Sequence, residues 1–463
     1  MSLRIQKFQI TSQSAKALMV RTCGLGLMYV ATAAAANYLG AMQFGVFSSV
    51  LSLTPILAAI AVGGVDVFAA KTLATISDRN PSKIAREVAV THADGLLGIA
   101  FGLALISMIV IAAVSLGINE DKYGVLIHAM YIFPVFLLIY IRQYITVSLS
   151  SAANAMFPEQ VILPSLFVLG LAVAHIFFSP LSTGLVLGNY FCAAVLTWIT
   201  GLYLIRNESC IARSLTVPLT VRDLVDRLNS GRPFLLAAVS SVIMTNAVTV
   251  LVSLFFGFKE AGLYFAAWRL AHLPSMPLQV IENVVMPSAA RLHSLGDREG
   301  LSNLARFSAT LSCASGIAIS VVLICFHERF LSLFGQEFVG AGPVLIILLI
   351  GQTLTTVTGP KQSLMRMTGL EIVFSRTFAV ASVLLPLAVY LAARFGGIVA
   401  VALCVAVMVA ALDLTFCLFL WKKRGVVSLP YGPGVLLKYF SRTQWRQSTF
   451  QEKVKFIWQI LSL

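Results

Sequence analysis

Residues 397–421 have the sequence GIVAVALCVAVMVAALDLTFCLFLW, an apolar stretch with one charged residue, Asp413. Three basic residues follow it at once: Lys422, Lys423 and Arg424. A helix of about 20 apolar residues is long enough to cross the roughly 30 Å hydrocarbon core of a membrane. Basic residues at one end of such a helix mark the cytoplasmic side. The stretch therefore predicts a transmembrane helix that ends in the cytoplasm.

The rest of the chain follows the same pattern of apolar stretches separated by charges. Hydrophobic residues make up 58% of the 463 residues and charged residues only 11%. We predict an all-α integral membrane protein with twelve transmembrane helices. The predicted spans lie at residues 17–37, 46–70, 88–117, 123–145, 161–178, 183–205, 233–256, 261–289, 304–325, 341–360, 374–393 and 397–421.

The basic residues orient these spans. With the N-terminus placed inside, only four of the 33 Lys and Arg residues fall outside, namely Lys122, Lys259, Arg329 and Arg394, while Arg269 falls within a span. The opposite orientation would violate the positive-inside rule. The same asymmetry explains the net charge of +14 without nucleic acid. We expect a multi-pass protein of a bacterial inner membrane with both termini in the cytoplasm.

Several kinds of site are not predicted by this sequence. The seven Cys residues form no disulfide framework, and no His, Cys, Asp or Glu cluster has the spacing of a metal site. We find neither a Walker A sequence nor a nucleophile elbow. The predicted outer loops, such as 118–122 and 326–340, are short for a catalytic region. We therefore expect a transport protein, not an enzyme, with no catalytic residues, cofactor or metal.

A short internal repeat predicts how the spans are organised. LGAMQFGVF at 39–47 and FGFKEAGLY at 256–264 each place two glycines five positions apart, and an apolar and an aromatic residue follow. The offset between them is 217 residues. The stretches open spans two and eight, which cross the membrane in the same direction. The repeat therefore predicts two parallel six-helix halves related by an axis along the membrane normal.

The predicted halves comprise residues 1–205 and 233–421. A basic cytoplasmic linker, 206–232, joins them, and a tail follows at 422–463. The tail mixes basic residues with aromatic ones, a composition that favours an amphipathic segment on the anionic cytoplasmic leaflet. Nucleic-acid binding is the rival interpretation of the tail, and its tether to the membrane argues against it.

Four elements, in order along the chain, resemble the polysaccharide transporters of the multidrug/oligosaccharidyl-lipid/polysaccharide (MOP) superfamily. The first is Leu39–Lys71, which includes Gly63-Gly64. The second is Ala261–Tyr264 followed by Ala267–Leu270, Pro287 and Arg291-Leu292. The third is Leu333–Gly335 followed by Ala341, Leu345 and Thr368-Gly369, and the fourth is Phe395–Ala400. The resemblance implies a MATE-like fold and a Wzx-type flippase. Such a flippase moves an undecaprenyl-diphosphate-linked oligosaccharide from the cytoplasmic to the outer leaflet.

The resemblance also implies the substrate class and partners. The oligosaccharide would be an O-antigen or exopolysaccharide repeat unit, and a polysaccharide polymerase and glycosyltransferases would act beside the protein. One departure concerns span seven, where many relatives carry an acidic residue. This chain has Asn246, Val248 and Thr249 there, so a coupling role for that acid is not expected.

Predicted span eight carries the main candidate site. Arg269, His272, Met276, Gln279 and Asn283 fall within about 80° on a continuous helix with 100° per residue. Two prolines in the same span should kink the helix by removing amide donors. A guanidinium at this depth should face protein or a water-filled cavity, because exposure to lipid is costly. We expect Arg269, His272, Gln279 and Asn283 either to line a substrate cavity or to tie helices together.

Other charged residues within the predicted spans have two interpretations each. Arg21 and Arg142 either line the cavity or sit at the cytoplasmic interface. Asp66, Glu282 and Asp413 are candidate carboxylates for ion coupling, and each could equally be half of a structural ion pair.

Three functional alternatives remain beside the glycan flippase. A multidrug or cation antiporter of the same superfamily would need an acidic cavity, whereas the predicted cavity is basic. An integral glycan polymerase or ligase would need larger outer loops. A lipid II flippase would differ in its substrate only. For the glycan flippase, we expect alternating access through rocking of residues 1–205 against 233–421.

Overall fold

The computed structural model describes residues 2–64, 81–115, 120–149, 152–205 and 221–431. These residues form helices and connecting turns, and the described part of the chain has no β-strand. The all-α prediction is therefore confirmed for this part of the chain. The predicted tail from residue 432 onward and the candidate carboxylate Asp66 lie outside the described residues, as does the part of the linker from 206 to 220.

Fourteen α-helices follow one another along the described residues, together with three short turns of 3₁₀ or π-helix. The α-helices are α1 (Ser2–Val62), α2 (Pro81–Ser115), α3 (Glu120–Leu149), α4 (Ala152–Phe157), α5 (Leu163–Phe178), α6 (Thr183–Ile205), α7 (Val221–Phe256), α8 (Phe258–Ala271), α9 (Met276–Ser294), α10 (Arg298–Cys325), α11 (His327–Ser332), α12 (Gly342–Val357), α13 (Lys361–Met367) and α14 (Glu371–Arg424). The short turns are Pro158–Ile162, Leu273–Ser275 and Gln336–Ala341.

Nine helices in the described part of the chain are long and apolar enough to cross a membrane. Two of them are interrupted by a glycine with a left-handed backbone, Gly40 in α1 (φ 71°) and Gly397 in α14 (φ 67°). A left-handed φ is readily adopted only by glycine, and it ends one helix before the next begins. Each of these two helices therefore contains two predicted spans. With the broken span eight, the nine helices account for the twelve predicted spans.

Predicted span eight is broken at its prolines, as expected. Helix α8 ends at Ala271, a 3₁₀ turn occupies Leu273–Ser275, and α9 begins at Met276. Pro274 and Pro277 lie on either side of the start of α9. Because proline has no amide hydrogen and its ring clashes with the preceding turn, the α-helical ladder cannot continue through this segment.

The chain packs as two compact units that differ from the predicted halves. The first comprises Met1–Ala266, Leu331–Ala341 and Ser382–Ile398, and the second comprises Ala267–Phe330, Gly342–Ala381 and Val399–Leu463. The six-helix halves 1–205 and 233–421 stay a prediction.

Within the first unit, the two members of the sequence repeat contact each other. A methyl group on Gly45 would overlap the carbonyl oxygen of Phe258, and one on Gly262 would overlap the carbonyl oxygen of Ala41. Ala41 and Phe258 are themselves 217 residues apart, as are Gly45 and Gly262. Such a reciprocal contact is what a two-fold axis produces. The packing therefore supports the duplication that the sequence predicts.

The second unit is held together by small and hydroxylated residues. Gly316 of α10 lies against Thr356 of α12, and the Ser312 hydroxyl donates to the Thr356 carbonyl at 2.9 Å. After α14, the chain turns back at Gly425, and the Ser428 hydroxyl donates to the Thr358 carbonyl at 2.8 Å. Close helix approach through small residues is typical of membrane proteins, where packing and polar contacts drive association.

Candidate functional site

Arg269 lies in the last turn of α8, immediately before the break in predicted span eight. Its side chain is half-buried, as is that of His272, whose ring is 5.2 Å from that of Trp268. The C-terminal end of a helix carries a partial negative charge, so a cation in the last turn is stabilised there. This position fits both interpretations of Arg269, namely that it lines a cavity or that it stabilises the end of the helix and ties helices together.

The break changes the polar face that the sequence predicts. The five polar-face residues fall within about 80° only on one continuous α-helix. In the structure, a 3₁₀ turn with about three residues per turn separates Arg269 from α9. The shared face therefore holds only within α9, where Met276, Gln279 and Asn283 keep their helical spacing. Gln279 is half-buried, and the Asn283 side chain lies outside the described residues.

Arg142 lies inside the protein in a closed ion pair. Its guanidinium binds the Glu159 carboxylate and donates to the Ala155 carbonyl at 3.2 Å, and its side chain is 1% exposed. Gly201 of α6 packs directly on the guanidinium, where a side chain would collide with it. This geometry favours a structural role over cavity lining for Arg142. Glu159, the partner, was not a sequence candidate, although it is the only acidic residue near predicted span five.

Asp413 also forms a buried ion pair. Lys361 Nζ lies 3.0 Å from Asp413 Oδ2, and the two side chains are 1% and 4% exposed. Lys361 also donates to the Thr355 carbonyl at 3.0 Å. Asp413 therefore has the ion-pair partner that one of its two interpretations requires, although its spacing in the sequence does not identify Lys361 as that partner. A role in ion coupling stays a prediction.

The remaining candidates are placed as follows. Arg21 in α1 and Glu282 in α9 are both half-buried. Their roles in substrate binding or ion coupling stay predictions. Among the described residues, no group of three or more His, Cys, Asp or Glu side chains has the geometry of a metal site.

Residues 14–293 match the family described as "Polysaccharide biosynthesis protein". The chain belongs to this family. The match covers more than half of the 463 residues, from the first predicted span through the broken span eight. The family that the sequence motifs resemble is thereby confirmed. No curated protein is similar to the chain at a significant level.

Solved structures show the fold of this family member. The chain is similar to a multidrug resistance MATE family transporter of the MOP superfamily in its inward-facing conformation, with a TM-score of 0.69, 15% identity and coverage of 92% of this chain and 99% of that chain. An outward-facing structure of such a transporter gives a TM-score of 0.57 at 15% identity, covering 89% and 94%.

A third similar structure is a MOP superfamily transporter from Pyrococcus furiosus, described as having a binding pocket of reversed polarity. Its TM-score is 0.58 at 14% identity, and the match covers 89% of this chain and 94% of that one. The predicted MATE-like fold is therefore confirmed. At such low identity, the likeness shows the fold alone.

Proposed function

We propose that this protein is a flippase that moves an undecaprenyl-diphosphate-linked oligosaccharide across the bacterial inner membrane. The observation that carries the proposal is the match of residues 14–293 to the polysaccharide biosynthesis family. The MATE-like fold of a MOP superfamily transporter supports transport over catalysis. Both termini would lie in the cytoplasm, because that orientation satisfies the positive-inside rule.

The substrate has a charged head and a very long apolar tail, and the two need different environments. The polyprenyl tail stays in the lipid between helices, while the diphosphate and the sugars pass through a cavity between the predicted halves. Moving a diphosphate out of water without cationic partners is very unfavourable. The protein must therefore supply cations along the path.

Arg269 is the cation proposed to meet the diphosphate. A guanidinium can donate two parallel hydrogen bonds to phosphate oxygens, which gives both charge and geometry. The break after Ala271 places Arg269 at a helix terminus within the predicted span, with His272 next to it. Gln279 and Asn283 follow on α9 and could contact the sugars.

Charge disfavours the rival function, an antiporter for organic cations. Such a transporter needs carboxylates available to the substrate. Two of the acidic residues within the described helices, Glu159 and Asp413, are already neutralised by Arg142 and Lys361. Alternating access driven by a substrate gradient, the membrane potential or ion exchange fits the absence of a Walker A sequence in this chain.

A reconstituted transport assay tests the proposal. The full chain is placed in liposomes with a fluorescent undecaprenyl-diphosphate oligosaccharide on one leaflet, and a membrane-impermeant glycosidase measures its appearance on the other. We expect translocation that depends on the protein, and no translocation of an organic cation such as ethidium. Transport of the cation without translocation of the lipid-linked glycan would overturn the proposal in favour of the antiporter.

A further inference from the structure

We propose that Glu337 is a gating residue that keeps the outer side of the transporter closed by capping the helix that begins at Ala41. The proposal rests on the orientation given under the proposed function, which makes this end of the helices the outer one. It goes beyond that function, because it names the contact that must open before any substrate can leave.

The cap exists because α1 is interrupted. Gly40 has a φ of 71°, so a new helix starts at Ala41 and its first amide hydrogens have no acceptor within the helix. The Glu337 carboxylate accepts the Ala41 amide hydrogen at 3.0 Å, although 296 residues separate the two in sequence. A negative charge at a helix N-terminus is favoured by the helix dipole and by the charged hydrogen bond.

Glu337 belongs to a different part of the chain from the helix it caps. It lies in the 3₁₀ turn Gln336–Ala341, between predicted spans nine and ten, whereas Ala41 opens span two. Both belong to the first compact unit, so the contact is part of its packing. The cap therefore ties a segment of the predicted second half to a helix of the predicted first half.

An aromatic layer, formed by Phe44, Phe265, Phe334 and Phe338, lies next to the residues of the cap. Phe44 is completely buried, one turn into the capped helix, and its ring centroid is 5.7 Å from Phe338 and 6.5 Å from Phe334. Phe265 of α8 approaches the same ring at 5.8 Å. Phe334 and Phe338 flank Glu337 in sequence and are completely buried too. The turn that carries the carboxylate is therefore anchored by Phe338 within it and by Phe334 just before it.

The glycine contact lies beside the cap and the aromatic layer. Gly262 of α8 packs against the backbone of both Ala41, which carries the cap, and Gly45, which follows Phe44. The first turn of the capped helix is therefore held by three contacts, namely a polar cap, an aromatic layer and a glycine crossing. Such close packing leaves no room for water unless the helices separate.

The cap is the contact suited to reversible opening. Glu337 is exposed, so water can replace its hydrogen bond to Ala41 when the turn moves away. Water cannot replace the apolar contacts of the buried aromatic layer in this way, so separating its rings costs free energy. Glu337 therefore shifts the balance between closed and open states without contacting substrate.

Distance measurements between two spin labels test this role. Gly184 and Gly340 lie in the first unit, and a side chain on either meets open space. Gly184→Cys and Gly340→Cys are introduced into the full chain after its seven Cys residues are replaced by Ser or Ala. The labels then report the separation of α6 from the Gln336–Ala341 turn in lipid nanodiscs.

We expect a Glu337→Ala variant to raise the ratio of long to short distances about tenfold, the effect of losing one charge-assisted hydrogen bond. Glu337→Gln keeps an acceptor oxygen without the charge, so its ratio should lie between those of the unmodified protein and of Glu337→Ala. It also keeps the proposal testable if the Ala variant misfolds. Glu328→Ala removes an exposed carboxylate from the same predicted outer loop and should leave the distances unchanged.

Two results would overturn the gate. One is a distance distribution in both Glu337 variants that equals that of the unmodified protein. The other is protection of the cysteine in Gly340→Cys, in intact cells, from a membrane-impermeant thiol reagent added outside, which would place the contact on the cytoplasmic side. Neither measurement needs a substrate, so the gate and the flippase function can fail separately.

Discussion

Lys361 Nζ lies 3.0 Å from Asp413 Oδ2 inside the second unit, with both side chains almost completely removed from solvent. Lys361 stands at the start of the short helix α13, and Asp413 stands in α14. Burying two charges is tolerated only when they pair well, and removing one partner leaves the other buried and uncompensated. The pair therefore links α13 to α14 in a way that single substitutions should disrupt.

We expect Asp413→Asn and Lys361→Met each to destabilise the protein by about 3–5 kcal/mol, and the double variant Lys361→Met/Asp413→Leu to recover most of that loss. Thermal unfolding in detergent measures the stability, and the liposome assay measures transport. A double variant that folds and transports identifies a structural pair. A double variant that folds but does not transport assigns Asp413 to ion coupling.

The glycine contact predicts a paired effect on stability. Gly45→Ala and Gly262→Ala should each destabilise the protein, because the new methyl group would meet a backbone carbonyl that cannot rotate away. The two variants should behave alike, since the contact is reciprocal. Gly188→Ala in α6 is the control, because its methyl group meets open space. Unfolding temperatures that are normal for Gly45→Ala and Gly262→Ala would contradict the packing.

Hydropathy was enough to predict the spans. The glycine repeat predicted equivalent positions in two halves of the chain, whereas the contact between its two members was found only in the structure. Gly40 and Gly257, predicted as equivalent, both have a left-handed backbone, with φ of 71° and 90°. The pairs Arg142–Glu159 and Lys361–Asp413 were not predicted as pairs. A contact between residues on different helices depends on how the helices rotate and pack, and helical periodicity carries no information about that.

The cap on Ala41 is another contact that helical periodicity does not predict, but the internal repeat predicts where a second such cap should lie. Nothing in the local sequence joins Glu337 to a residue 296 positions away. The repeat offset nevertheless predicts a counterpart, because Glu120 precedes Glu337 by 217 residues and Phe258 follows Ala41 by 217. Pseudo-symmetric halves can share a device in this way.

We therefore expect Glu120→Ala to weaken closure of the outer side as Glu337→Ala does, and the double variant to weaken it further. The spin-label distances between positions 184 and 340 measure the effect. Asp121→Ala, which removes the neighbouring carboxylate, serves as the control. If Glu120→Ala and Asp121→Ala give the same distances as the unmodified protein, closure depends on Glu337 without a counterpart in the first half.

Arg269 is the residue on which the proposed substrate role depends. It is half-buried in the last turn of α8, where it could meet a diphosphate or simply stabilise the helix terminus. Arg269→Ala should abolish translocation of the lipid-linked glycan while leaving membrane insertion intact. Arg269→Lys should restore it only in part, because lysine keeps the charge but loses the bidentate geometry.

Arg291→Ala is the matched control, because it removes an exposed arginine from the last turn of α9 at the predicted cytoplasmic end. Translocation is expressed per inserted molecule, and thermal unfolding is measured on the same samples. If Arg269 only stabilises the helix terminus, Arg269→Ala should lower the unfolding temperature and leave the translocation rate per folded molecule normal. If Arg269 binds substrate, the variant should unfold at the normal temperature and translocate more slowly. Normal translocation by folded Arg269→Ala protein would remove Arg269 from the substrate path, since a diphosphate that crosses without its guanidinium must be met by other cations.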